Sequence, residues 1–271
     1  MVGGEGGPGG APAAGLTAKL RGAYESAAPA WAHGAEPVYL PLAQALVGQV
    51  EVTGRRVLDL GAGTGVTGRA ALAAGASGVV AADVAVAMLR RCEPPLCRVA
   101  ADAMRLPFRD RGFDVVLAAF CLGHLPSLPA GLREVRRVGA AMAVSSFAPG
   151  WNTPVKEAVE GALRPFGYVP PAWYLRFKQE TEPAAGDPEV LTPQLAAAGF
   201  GQVRIRPLTV QTGLSSPAEL AAWRLGMAHV APFMSSLPTP DATAARQAAE
   251  RAVAASAAGP LTVSLLVTTA S

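Results

Sequence analysis

Apolar positions along the chain follow two rhythms. From Leu16 to Val50 the spacing is helical, with Leu16, Leu20, Ala23 and Tyr24 three or four residues apart. Pro37 and Pro41 predict a break there and a fresh helix start over Leu40–Val50. From Arg55 onward, short apolar runs alternate with helical segments. RRVLDL, GVVAAD, CRVAAD, FDVVLAAF and AAMAVSSF read as strands. GVTGRAALAAG, VAVAMLRRC and GLREVRRVG supply helices between them. Strands that are apolar on both faces and separated by helices predict a parallel sheet covered on both sides.

After Pro149 the alternation stops. Residues 150–188 form an insertion rich in proline and aromatics, among them Trp151, Phe166, Tyr168, Trp173, Tyr174 and Phe177. A helix (LTPQLAAAGF) and a strand (GQVRIRPLTV) restore the pattern. A second insertion, 213–258, holds SSPAELAAWRLGMAHV, with a Ser-Pro start and a first-turn Glu, and a helix from near Pro240 to Gly259. LTVSLLVTTAS closes the chain as a β-branched strand. The predicted fold is α/β: seven strands in a mostly parallel sheet with helices on both faces. A helical N-terminal segment (16–50) and the two helical insertions form a lid over the carboxyl ends of the strands, where open α/β sheets bind ligands. Residues 16–271 are expected to make one domain, with the Gly/Pro/Ala-rich residues 1–15 as a disordered tail.

Composition excludes more than it assigns. A chain of 271 residues suits one elaborated domain. Its 23 Lys+Arg against 20 Asp+Glu leave a net charge of +3, and the basic residues are scattered. The densest patches, Arg109–Arg111 and Arg133–Arg137, are short and read as solvated faces, so no nucleic-acid partner is expected. Lys19, Lys156 and Lys178 are the only lysines, which reads as base composition rather than function. Cys92, Cys97 and Cys121 make no disulfide framework and no complete metal site, so buried thiols and no metal are expected. The N-terminus lacks the basic start and apolar run of a signal peptide, and no run of about 18 apolar residues predicts a membrane span. The expected location is cytoplasmic.

The stretch VLDLGAGTG carries the chemistry. Glycine at Gly61, Gly63 and Gly65 directly after a strand permits a sharp reversal and a close ligand approach. The dinucleotide fingerprint is G-x-G-x-x-G; here Val66 falls where its third glycine would be. No Gly-Lys-Ser/Thr marks a P-loop. The turn is thus suited to a ligand without a pyrophosphate. Asp83 ends the next strand, 18 residues after Gly65, where an acid accepts hydrogen bonds from ribose hydroxyls or caps a helix. With Asp59 and Asp102, three successive strands end in a carboxylate, and all three are expected along one edge of the crevice.

VLDLGAGTG, DVAVAML, ADAMRLPF, FDVVLAAFCLGHLP and LREVRRV, in this order and spacing, resemble the motifs of class I S-adenosylmethionine-dependent methyltransferases. The nearest type is the small-molecule branch that includes the quinone-biosynthesis C-methyltransferases, and the resemblance covers roughly 55–147. It implies a Rossmann-like sheet, S-adenosyl-L-methionine as cofactor, and a small-molecule acceptor. By position, Gly61 and Gly63 would line the methionine portion, with Ala62 and Gly65 completing the turn. Asp59 would orient the amino group, directly or through water. Asp83 would hold the ribose, with Val84 and Met88 packing near the adenine. Asp102 would accept the adenine amino group and the Ala103 backbone would bond a ring nitrogen. Ala119 and Phe120 would face the methyl group. Two departures stand out. The family's Arg-Pro-Gly-Gly turn is shortened to RRVGAAM, and Ala85 replaces a common Ser cap, which removes one cap contact.

Methyl transfer needs in-line alignment and sometimes a base. His124, in CLGHLP after the fourth strand, is a candidate base or a hydrogen-bonded scaffold residue. His33 is a second candidate from the N-terminal lid, while His229 is expected to pack in the core or lid. Tyr168, Trp173 and Tyr174 form lid core or a wall for a planar acceptor; Glu180 and Glu182 are expected to be solvated. The function implied is methyl transfer to oxygen or carbon of a small, largely apolar metabolite, such as a secondary metabolite or quinone-like ring. The alternatives are an enzyme of the same fold with a non-methylating reaction such as a cyclisation, and a non-catalytic cofactor-binding protein.

Overall fold

The computed structural model of the protein describes residues 10–256 and 258–271. Helix α1 (Gly10–Ala30) and α2 (Glu36–Val47) precede β1 (Arg56–Leu60). Then follow α3 (Val66–Ala73), β2 (Gly78–Asp83), α4 (Val86–Leu89), β3 (Cys97–Ala100) and β4 (Phe113–Ala119). Next come α5 (Leu128–Val138), β5 (Gly139–Phe147), α6 (Pro154–Leu163), α7 (Ala172–Arg176), α8 (Glu182–Gly186) and α9 (Pro188–Ala197). The chain finishes with β6 (Val203–Gln211), α10 (Pro217–Leu225), α11 (Ala231–Ser236), α12 (Thr239–Ala255) and β7 (Thr262–Ala270).

All seven strands form one sheet in the order β3-β2-β1-β4-β5-β7-β6. β1 to β5 run parallel, and β7 is antiparallel to both β5 and β6. Alternate side chains of a strand point to opposite faces. Val57 therefore joins a core under α2 and α3, and Leu58 joins the other core under α5 and α9. Both are fully buried, which is why β1 reads as a continuous apolar run. The chain reverses its direction of travel across the sheet between β1 and β4, the switch point where such sheets hold ligands. The α6, α10 and α12 helices pack on one another beside this edge, and α1 reaches across to α4, α7 and α11.

Several expectations need correction. α1 begins at Gly10, so residues 10–15 of the expected tail are helical, while residues 1–9 lie outside the described residues. Pro37 and Pro41 do not break the N-terminal segment. A π-turn over Trp31–Ala35 joins α1 to α2; Pro37 sits in the first turn of α2, where an amide is dispensable, and Pro41 is carried inside the helix. The turn crosses α10 closely because both sides are glycine. A Cβ on Gly34 would strike the Ala222 carbonyl, and one on Gly226 would lie 2.7 Å from the Ala30 oxygen. α10 stops at Leu225 rather than running on to Val230, although its start has the expected Ser216/Glu219 capping box. Cys92 and Cys121 are buried, but Cys97 is exposed. Arg137 is not a solvated face residue: it bonds Glu134, Asp110 and the carbonyls of Leu106 and Phe108, and so ties down the loop before β4. Among the described residues no helix is long and apolar enough to cross a membrane.

Candidate active site

One cavity opens at the carboxyl ends of β1, β2 and β4, beneath α1 and the insertion helices. Its floor is the glycine turn. Gly61 (φ 68°) and Gly63 (φ 56°) take left-handed backbone that favours glycine. A Cβ on Gly61 would lie 2.6 Å from Cys121 Sγ, whereas one on Gly63 would meet nothing within 4 Å and would project into the open. The half-buried Asp83 carboxylate ties this turn to the next helix. Its Oδ2 accepts from the Gly63 amide (2.8 Å) and its Oδ1 from the Ala85 amide (2.8 Å). Burial pushes Asp83 upward, against the pull of these amides.

Ten of the cofactor residues predicted from sequence line the cavity: Gly61, Ala62, Gly63, Asp83, Val84, Met88, Asp102, Ala103, Ala119 and Phe120. Asp102 is exposed, lies beyond the end of β3, and accepts from the Met104 amide (2.9 Å). Phe120 holds a positive φ of 52°, a strained value for an aromatic residue, and its ring packs on Phe147 (4.6 Å) and Tyr39 (5.5 Å).

Three predicted residues do not line the cavity, and the three carboxylates do not share one edge. Asp59 turns under α3, where it is 1% exposed and its Oδ2 accepts from the Gly68 amide (2.8 Å). Burial pushes this carboxyl up to about 7, helped by nearby Asp83 and opposed by the Gly68 bond and Arg69. Gly65 (φ 83°) begins α3 and is packed against Cys92 and Leu96. His33 is exposed on the outer side of the π-turn and bonds the Pro29 carbonyl (2.8 Å), because the helix carries it away from the sheet.

His124 does line the cavity. Its Nε2 lies 3.0 Å from Tyr24 Oη of α1, its ring stacks on Phe177 (4.3 Å), and burial lowers its pKa to about 4. The imidazole is therefore neutral at pH 7. His229, expected as packing, also faces the cavity. It is 3% exposed, stacks on Tyr174 (3.6 Å) and accepts from Arg224 Nη2 (3.0 Å). Arg224 in turn donates to Glu160 (2.6 Å).

Sequence reasoning missed this polar part of the cavity wall. Lys156, Lys178, Glu182 and Arg224 all lie on its wall. Glu182 is not solvated but paired with Lys178. The signal was present: two of the chain's three lysines fall inside the aromatic insertion of an otherwise arginine-using protein. Of the lid aromatics, Trp173 and Tyr174 line the cavity, while Tyr168 is lid core.

The missing serine cap at Ala85 is replaced from the N-terminal lid. Glu25 of α1 accepts from the amides of Val86 (2.7 Å) and Ala87 (2.8 Å), the first residues of α4. A carboxylate suits a helix start on both hydrogen-bonding and dipole grounds. Glu25→Ala is expected to lower unfolding stability by about 1–2 kcal/mol, with Glu25→Gln losing less. Faster hydrogen exchange at Val86 and Ala87 in the alanine variant would locate the change; unaltered exchange there would rule the cap out.

Buried polar atoms test whether the cavity suits a polar ligand. Among the described residues six buried side-chain polar atoms lack a hydrogen-bond partner. Five belong to cavity residues: Thr64, His124, Ser145, Trp223 and Arg224. Folded proteins leave few such atoms unpaired, so their concentration here fits a site built around a polar ligand. The glycine cradle and Asp83 fit an adenosine-bearing amino acid in the same way.

Fold and site define an α/β domain with a cofactor crevice at the switch point of its sheet. Residues 57–140 match the family described as "Methyltransferase domain". Over 170 residues the chain is 39% identical to the demethylmenaquinone methyltransferase of Mycobacterium sp. (strain KMS), spanning 58% of this chain and 72% of that protein. Two solved structures share the fold. One, assigned as a methyltransferase from an antibiotic biosynthesis pathway of Anabaena variabilis, has a TM-score of 0.57 at 15% identity, covering 84% of this chain and 96% of that one. The other, phosphoethanolamine N-methyltransferase 2 of Haemonchus contortus in complex with S-adenosyl-L-methionine, has a TM-score of 0.52 at 14% identity, covering 84% and 51%. The chain belongs to the class I S-adenosylmethionine-dependent methyltransferases, on the side of the quinone-biosynthesis enzymes.

Proposed function

We propose that the protein methylates a small, planar, largely apolar acceptor of quinol type, and that the single cavity holds cofactor and acceptor together. The observation that carries this is the cavity's mixed wall, in which Gly61, Gly63 and Asp83 share the lining with the aromatic rings of Tyr39, Phe120, Phe147, Trp173 and Tyr174. The quinol class is taken from the mycobacterial relative's name. When bound, S-adenosyl-L-methionine supplies a methyl group on a sulfonium, which an acceptor atom attacks in line.

The chain's own residues bind and orient. Asp83 holds the ribose hydroxyls, Val84 and Met88 pack beside the adenine, and Asp102 with the Ala103 backbone bonds its polar edge. Gly61, Ala62 and Gly63 let the backbone approach the methionine portion. Asp59 and Gly65 act from beneath by shaping the turn and the start of α3. Ala119 and the strained Phe120 border the methyl position. Residues 16–50, 150–188 and 213–258 form the lid of one domain whose cofactor core is 55–147. Three free cysteines suit the reducing interior of a cell.

His124 takes the acceptor's proton. A neutral imidazole whose Nδ1 is buried without a partner is ready to accept one, and Tyr24 orients the ring through Nε2. His124→Ala is expected to lower turnover about a hundredfold, with cofactor affinity within about threefold of the parent. Full turnover would leave His124 as scaffold alone.

Calorimetric titration with S-adenosylmethionine and S-adenosylhomocysteine, with NADH as control, tests the cofactor site. Binding of the first two alone, followed by transfer of labelled methyl to a naphthoquinol, is the expected result. Absence of binding would overturn the proposal.

A further inference from the structure

Residues of the cavity wall carry buried donors without matching acceptors. Trp223 and Arg224 are each 2% exposed, and Trp223 Nε1 and Arg224 Nε are both buried with no hydrogen-bond partner. Both atoms can only donate. Lys156, from the first turn of α6, adds a third donor to the same wall. Its ammonium lies over the Trp151 ring at 4.0 Å and near Phe147 at 5.7 Å. Among the described residues it makes no ion pair. The carboxylates nearby are already engaged: Glu182 pairs with Lys178, and Glu160 with Arg224. The Lys156 amine is therefore left without a carboxylate partner. Beside it Phe147 stacks on Trp151 at 4.8 Å and packs tilted against Phe120 at 4.6 Å, so apolar rings adjoin the amine.

We propose that Lys156 determines acceptor specificity by binding an ionised ring hydroxyl of the acceptor, with the buried N–H groups of Trp223 and Arg224 as further donors to the acceptor's oxygens. This deepens the methyltransferase reading and rests on it. Within the quinol-type class, an acidic ring hydroxyl placed to meet Lys156 then becomes a requirement. Burial beside Lys178 and Arg224, only partly offset by Glu182 and Glu160, lowers the Lys156 amine to about 7. At neutral pH much of it is therefore uncharged. A bound phenol can pass its proton from the hydroxyl oxygen to Nζ, breaking O–H and forming N–H, and the product is an ammonium–phenolate pair. In this reading Lys156 serves a ring hydroxyl, and His124 the reacting atom. A weakly solvated amine on aromatic faces gains more from such a pairing than an exposed one does.

The probe is para-nitrophenol, whose ionised form has its own absorption band. It is added to the protein loaded with S-adenosylhomocysteine, at a pH where the free probe is mostly protonated. With the parent protein the phenolate band is expected to rise on binding. Lys156→Met is expected to abolish the rise and weaken binding about tenfold or more. Lys156→Arg places a permanent cation at the same point, which holds a phenolate whose proton has gone to solvent, and is expected to keep the band. Para-nitroanisole, which has no acidic proton, is expected to bind the parent at least tenfold more weakly than the phenol. Melting curves and calorimetry with S-adenosylhomocysteine on each variant establish folding and a working cofactor site. No phenolate band with the parent, an unchanged band in Lys156→Met, or equal binding of the anisole would each overturn the proposal while leaving the methyltransferase reading intact. Failure of S-adenosylhomocysteine to bind the parent would instead sink the underlying reading, and Lys156's assignment with it.

Discussion

Asp83→Ala is expected to lower the affinity for S-adenosylmethionine about a hundredfold, roughly 2.8 kcal/mol. The carboxylate has two duties. It holds the Gly63 and Ala85 amides at 2.8 Å each, so the glycine turn and the start of α4 share one anchor. Hydrogen bonds to a charged group contribute about 1.5–3 kcal/mol apiece. It also stands on the cavity wall where the ribose hydroxyls are proposed to bind. Removing it frees two amides and deprives the sugar of its acceptor. Asp83→Asn, which still offers one carbonyl oxygen, should fall between parent and alanine variant. Titration calorimetry reads both effects. An alanine variant with parental affinity would mean that the ribose lies elsewhere.

Asp59→Asn is expected to remove most of a pH dependence from the protein's stability. In the fold the Asp59 carboxyl titrates at about 7, against 3.8 for the unperturbed group. Between these values the folded chain keeps a proton that the unfolded chain has released. Stability therefore falls as pH rises from about 4 to about 7, then stays level. Each pH unit is worth about 1.4 kcal/mol, so the whole window amounts to several kcal/mol. Asparagine mimics the protonated acid, and its carbonyl can accept from the Gly68 amide in the same place. Urea unfolding at about pH 5 and about pH 8 should show the parent losing stability across this range. The variant should lose much less and overtake the parent at the higher pH. Asp83, also raised by burial, leaves a smaller slope of the same sign. Parallel pH profiles for parent and variant would show that Asp59 is ionised in the fold throughout.

Both predictions concern acids whose positions could be found in the sequence but whose roles could not be told apart there. Asp59 is the penultimate residue of β1 and Asp83 the last of β2, each ahead of a turn into a helix. The sheet's pleat and the packing of α3 turn one under the turn and leave the other on the cavity. Likewise His33 and His124 were equal as candidates by residue type. A π-turn directs His33 outward, and the loop after β4 directs His124 against Tyr24. The glutamate that replaces the lost serine cap is 61 residues from the amide it bonds, a distance no local motif reports.

Local pattern was enough for the sheet, the covering helices, the glycine turn and ten of the residues found on the cavity wall. Apolar periodicity and glycine spacing act over a few residues, and VLDLGAGTG with DVAVAML carries its geometry within itself. The rest of the wall was left to tertiary structure. Lys156, Lys178, Trp223, Arg224 and His229 come from two insertions that meet only when α6 packs against α10 and α12. Their charges, pairings and unpaired donors are properties of that meeting. Burial and the distance between charges, not residue type, decide whether a lysine is a solvated surface group or the waiting partner of an acidic acceptor.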